Sequence, residues 1–116
     1  MNKRNVGTDK EDLVTRFLEE NNIKILDRNY YTDKGEIDII GTDGKYIIFF
    51  EVKYRKAAEY GNPLEAVTSG KIRKIVNASK IYLYQNRYGD NTYIRYDCIG
   101  VLDSSINWIK NAFDAF

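Results

Sequence analysis

Asp38, Glu51 and Lys53 are spaced for chemistry, lying on either side of an Asp43-Gly44 dipeptide between two runs of alternating apolar residues. Asp-Gly between such runs predicts a two-residue hairpin turn. Counted from that turn, Thr42 faces Lys45, Ile40 faces Ile47, Asp38 faces Phe49 and Glu36 faces Glu51. Side chains alternate along a strand, so Glu36, Asp38, Phe49, Glu51 and Lys53 project from one face, shared with Ile40 and Ile47. Ile37, Ile39, Ile48, Phe50 and Val52 fill the other. Asp38 and Glu51 are then diagonal neighbours, roughly 7–8 Å apart at the backbone and closer at their side chains. Two carboxylates so placed can share one Mg²⁺ or Mn²⁺, and Lys53 brings an ammonium to the same face. Glu36 opposite Glu51 sets like charges against each other, a conflict that a cation would relieve. The plain alternative is a row of solvated charges on a half-exposed hairpin. Against it, three carboxylates cluster on a face that also carries Ile40, Ile47 and Phe49.

Glu11 is a fourth candidate acid. With Thr8 it makes a capping-box pattern, a purely local role. It also lines up with Val14 and Leu18 at helical spacing, at the border of a buried stripe. If that stripe packs on the acidic face, the Glu11 carboxylate reaches the metal.

The composition removes other chemistries. A chain of 116 residues without histidine and with one cysteine cannot build a Ser-His-Asp triad, a Cys-His pair or a zinc site of histidines and thiolates. Catalysis must run on carboxylates, lysine, arginine, tyrosine or hydroxyls, and a metal must be hard and oxygen-ligated. Cys98 has no partner for an internal disulfide, which fits a reducing cytoplasm. Neither a secretory signal nor a membrane-spanning run is present in the sequence, so no membrane partner is expected. The net charge is only +1, yet residues 51–80 carry seven basic and three acidic side chains. That patch serves phosphate contacts or is a solvated helix face.

The length suits a single domain over residues 1–116. Thr8–Asn21 reads as a helix with Leu13, Val14, Phe17 and Leu18 inward, followed by strands over 23–31, 35–41 and 45–54. Asn62-Pro63 is a helix start, with Gly70 interrupting it early and the main run carrying Ile72, Ile75, Val76, Tyr82 and Leu83. Thr92–Leu102 is a further strand, and Ile106–Phe116 a short terminal element read as helical. The order helix-strand-strand-strand-helix-strand predicts an α/β fold with a mixed central sheet and helices on both faces. The long crossover makes the third and fourth strands parallel.

The run GEIDIIGTDGKYIIFFEVKYR, residues 35–55, resembles the signature of the YraN family, small bacterial proteins similar to archaeal Holliday junction resolvases. Both belong to the restriction-endonuclease-like group with the PD-(D/E)xK motif. The likeness extends to Glu11 before Leu13-Val14, the Lys71–Leu83 helix, the Arg95-Tyr96-Asp97 strand and Ala112-Phe113. It implies a restriction-endonuclease-like fold in which Asp38 and Glu51 hold the metal. It further implies that Lys53 lies near the attacking water and that Glu11 is a helix-borne acid. Lys10 stands where a glycine is usual and Val14 where a small residue is usual; both departures touch the helix and not the hairpin.

The expected function is a Mg²⁺-dependent phosphodiesterase acting on DNA. Asp38, Glu51, Lys53, Glu11 and Glu36 would form its site, and Arg55, Lys56, Lys71, Arg73 and Lys74 would hold flanking phosphates. No base-reading element is evident, so selectivity for nucleic-acid structure is expected over selectivity for sequence. Two alternatives stay open: a nucleic-acid-binding module without efficient catalysis, and an interaction protein with no nucleic-acid partner. Trp108, Phe113 and Phe116 are candidate homodimer contacts. Tyr30, Tyr31, Tyr46, Tyr93 and Tyr96 read as ordinary strand residues, with Tyr54 and Tyr60 better placed for base stacking.

Overall fold

The computed structural model describes residues 6–55 and 67–115, with side chains from residue 11 onward in the first stretch. Helix α1, Val6–Glu20, ends where Asn22 takes a left-handed φ of 68° and the Ile23 N–H bonds back to Leu18 O at 3.0 Å. It begins two residues before Thr8, so Thr8 does not cap it. Then come β1 (Lys24–Thr32), β2 (Gly35–Thr42), β3 (Tyr46–Arg55), α2 (Ser69–Gln85), β4 (Tyr93–Leu102) and β5 (Ser105–Phe113). The strands lie in chain order across one five-stranded sheet, antiparallel except for the parallel β3–β4 pair. The chain is therefore α/β with a mixed sheet, as the order of elements predicted. Among the described residues no helix is long and apolar enough to cross a membrane.

Each face of the sheet carries one helix. Val14 and Leu18 of α1 pack with Ile39, Ile48, Phe50, Val52, Ile99 and Val101. On the opposite face, Ile75, Val76, Ala78 and Tyr82 of α2 pack with Ile40, Ile47, Phe49 and Tyr96. Ile37 belongs to this second cluster, although strict alternation assigns it with Ile39. The alternation breaks beside Asn29, whose φ is 53° and which lies between the pairs Arg28–Ile39 and Tyr30–Ile37.

Two elements differ from the sequence reading. Thr68 caps α2, its hydroxyl accepting the Lys71 N–H at 3.2 Å, so Gly70 lies in the first turn and interrupts nothing. The Asn62-Pro63 start falls outside the described residues. The terminal element is a strand and not a helix. Its Leu102–Ser105 pair closes a two-residue turn at Asp103-Ser104, where Asp103 takes a left-handed φ of 54°. Ile106 and Trp108 then alternate onto the α1 side. Trp108 packs edge-on to Phe17, and Phe113 stacks on Tyr96 with centroids 5.2 Å apart, so two of the three candidate dimer contacts have ring partners within the chain. Phe116 lies outside the described residues.

Helix α2 approaches β2 so closely that a Cβ at Gly35 would stand 2.7 Å from the Lys74 carbonyl oxygen and 3.0 Å from its Cβ. Gly35→Ala must push the helix off the sheet and should cost about 1–3 kcal/mol. Thermal unfolding checks this; an unchanged midpoint would contradict the close packing.

Candidate metal and phosphate site

The hairpin register is two residues from the one predicted. Thr42 pairs with Ile47, Gly41 with Ile48, Ile40 with Phe49 and Ile39 with Phe50. The Asp43 carboxylate accepts the N–H groups of Lys45 (2.9 Å) and Tyr46 (2.8 Å), which widens the turn from two residues to four. A slip of two leaves side-chain parity unchanged over the paired residues Ile39–Thr42. Asp38 therefore still faces Glu51, across the end of the ladder instead of diagonally, and Glu36 does not oppose Glu51 but pairs with Tyr31.

The last β2–β3 pair is Ile39–Phe50, and beyond it the Asp38 carboxylate accepts the Val52 N–H at 2.8 Å. A side chain thus takes the place of a ladder carbonyl where the two strands part. Glu51 beside it is 2% exposed. Lys71, from the first turn of α2, sets its Nζ 2.8 Å from Glu51 Oε2, and Lys53 Nζ lies 3.8 Å from the same oxygen. Glu51 Oε2 is thus held between two ammonium groups, the Lys71 one at hydrogen-bond distance. Burial, a hydrogen bond to Glu51 and the Glu51 charge push the Asp38 carboxyl up to about 8, against the Val52 N–H and Lys71, which pull it down. The two carboxyls thus favour sharing one proton over carrying two charges. Burial works against the Lys71 ammonium, but Glu51 outweighs it and holds the lysine above its ordinary value.

Asp38, Glu51 and Lys71 line a cleft of about 650 Å³ bounded by the β1–β2 turn and the start of α2, with Glu36, Lys74, Tyr31 and Thr68 on its walls. Glu36 is exposed there. Among the described residues no third carboxylate completes a cluster with Asp38 and Glu51. Glu11 does not reach them because α1 covers the opposite face of the sheet. Its carboxylate lies 3.6 Å from the Arg28 guanidinium and accepts from Asn29 Nδ2 at 3.3 Å. Burial first, and then the Glu11 and Asp38 carboxyl groups, raise the Tyr54 hydroxyl to about 12.

Lys71, expected to hold flanking phosphates, sits instead at the carboxylates; nothing in its sequence context separates it from the other basic residues of its helix. Lys74 lines the cleft, Arg55 closes β3, Arg73 lies on α2, and Lys56 falls outside the described residues. Tyr31 is 77% exposed on the cleft wall, and so is not the ordinary strand residue expected, while Tyr60 is outside the described residues. Asp97 is fully buried away from the pair, on the Phe50 side of the sheet. It accepts from Arg95 Nε and Nη2, Trp108 Nε1 and the Asn111 N–H, all within 3.0 Å. It is the buried partner of Arg95. Burial is also the main force raising the Cys98 thiol, to about 11, as suits a core residue.

A five-stranded mixed sheet with a helix on each face, holding a buried glutamate, a half-buried aspartate and two lysines where β2 and β3 part, defines an α/β protein with a charged cleft. The chain belongs to the family described as "Uncharacterised protein family UPF0102", which matches residues 10–101. It is 45% identical to a UPF0102 protein of Lachnoclostridium phytofermentans over 100% of this chain and 98% of that one. It is 44% identical to one of Fusobacterium nucleatum over 96% and 92% of the two chains, and 40% identical to one of Vibrio parahaemolyticus over 95% and 93%. The YraN-like resemblance is met, and these names state no activity.

Proposed function

We propose that the cleft is the site of a divalent-metal-dependent phosphodiesterase acting on DNA, with a restriction-endonuclease-like fold. The observation that carries this reading is the pairing of half-buried Asp38 with buried Glu51. Glu51 Oε2 gathers two ammonium groups, at 2.8 and 3.8 Å, and lies beside a second carboxyl, an arrangement that a hard cation with oxygen preference suits. Asp38 and Glu51 would hold Mg²⁺ or Mn²⁺, which supplies charge neutralisation at the scissile phosphate and an acidified water. Lys53, on the same strand face as Glu51, orients the attacking water and stabilises the charge that develops on the phosphoryl oxygens. Lys74 on the cleft wall and Arg55 at the end of β3 take flanking phosphates, and the basic character of these contacts gives no base preference. Glu36 and Glu11 have no direct part in this arrangement. The single buried cysteine fits a reducing compartment such as the cytoplasm.

Purified protein with Mn²⁺ should cleave branched or single-stranded DNA, and Asp38→Ala or Lys53→Ala should lower the rate by about a hundredfold or more. Equal cleavage by these variants would reject the assignment. One observation favours a second reading, a nucleic-acid-binding module without efficient turnover. The described residues give the metal two carboxylates and no third. Salt-dependent DNA binding with no cleavage in Mg²⁺ or Mn²⁺ would select that reading.

A further inference from the structure

We propose that Lys71 is the resident counter-cation of the carboxylate pair, that it competes with the divalent ion for Glu51, and that it moves away when the ion enters. This rests on Asp38 and Glu51 being the metal ligands. Glu51 is 2% exposed, so water cannot screen its charge and a cation must stand beside it in the metal-free protein. Lys71 Nζ fills that place at 2.8 Å; Lys53, at 3.8 Å, is the more distant of the two.

A divalent ion bound to the same oxygen at about 2.0–2.1 Å would face the ammonium across a few ångströms, where like charges repel strongly. One of the two must leave. Lys71 is built to do so. Its side chain is 43% exposed against 26% for Lys53, and it borders the open cleft. Its four-carbon stem swings without moving the backbone. The helix start does not depend on that side chain, since Thr68 caps α2 through the Lys71 backbone N–H. Lys71 therefore weakens metal affinity in return for a stable metal-free site, and it ends at the mouth of the cleft once displaced.

Calorimetric titration of the full chain with Mn²⁺ at pH 8 tests this. Lys71→Met should bind Mn²⁺ about tenfold more tightly than the wild type, a typical coupling between competing ligands. Lys71→Arg, which keeps the charge, should stay within about threefold. Mn²⁺ should also raise the Tm of Lys71→Met more than that of the wild type. In the wild-type chain, saturating Mg²⁺ should shift the Lys71 Cε–Hε resonance, a readout that stands even where Lys71→Met fails to fold. Unchanged or weaker affinity in Lys71→Met, or an unmoved Lys71 resonance with Mg²⁺ bound, overturns the proposal and leaves the metal site intact. No binding heat and no Tm rise with Mn²⁺ in any of the three proteins overturns the metal reading and this proposal with it.

Discussion

Asp97→Ala should destabilise the chain by about 3–5 kcal/mol, the range for removing one partner of a buried ion pair. Single domains are held by only about 5–15 kcal/mol in total, so this loss removes at least about a fifth of the stability. The cause is what the substitution strands. Arg95 Nε and Nη2, the Trp108 indole N–H and the Asn111 N–H all end on this carboxylate, which is fully buried. The hydrogen bond to Asp97 is the main cause raising the Arg95 guanidinium above its ordinary value. The Asn111 N–H is directed there because the β4–β5 register shifts between Tyr96 and Cys98, leaving that group out of the ladder. Asp97→Asn keeps one acceptor oxygen and should fall between the two. Urea unfolding decides the matter: a midpoint for Asp97→Ala within experimental error of the wild type would show that the network contributes nothing.

The second large effect concerns Asp38 and pH. An aspartate in the unfolded chain titrates near ~3.9, whereas in the folded, metal-free chain the Asp38 carboxyl titrates at about 8. The native state thus keeps a proton that the unfolded chain releases. The stability this confers is full below about pH 4, declines as pH rises toward 8 and changes no further above that. Asp38→Asn removes the titration while its side-chain oxygen still accepts the Val52 N–H. In metal-free buffer it should match or exceed the wild type at pH 8 and lack the wild type's decline between pH 5 and 8. Metal binding runs the other way. An ion must expel the Asp38 proton, so wild-type Mn²⁺ affinity should rise about tenfold per pH unit up to about pH 8 and then level off. Asp38→Asn should bind the ion weakly at every pH. Thermal unfolding and calorimetry at pH 6 and pH 8 test both halves; an affinity that does not change with pH would refute the shared proton.

The meeting of Asp38 and Glu51 was legible in the sequence because strand parity is a property of the chain alone. The predicted register was wrong by two residues and the two carboxyls still met, since only an odd slip would have separated them. What displaced the register was a side chain competing for backbone, the Asp43 carboxylate taking the Lys45 and Tyr46 N–H groups. The placement of Glu11 was not legible. Helical spacing shows that α1 has a buried stripe but not which face of the sheet it covers. Lys71 was hidden for a similar reason: a basic residue in a first helical turn reads as solvated, and only the packing of α2 on Ile40, Ile47 and Phe49 carries it to Glu51. The terminal strand was mistaken because Ile109, Ala112 and Phe113 also fit a helical spacing, whereas the Asp103-Ser104 turn that decides the matter carries neither Gly nor Asn.

Asn29 and Asn111, each with a φ of 53°, lie in β1 and β5, which are the two outer strands of the described sheet. A foreign strand laid along either margin would meet a kink where it needs an even row of donors and acceptors. A flat nine-residue border is an invitation to fibril growth, and here both borders are interrupted near the middle or the far end. The same asparagines that bend the backbone also discourage one copy of the molecule from extending the sheet of the next.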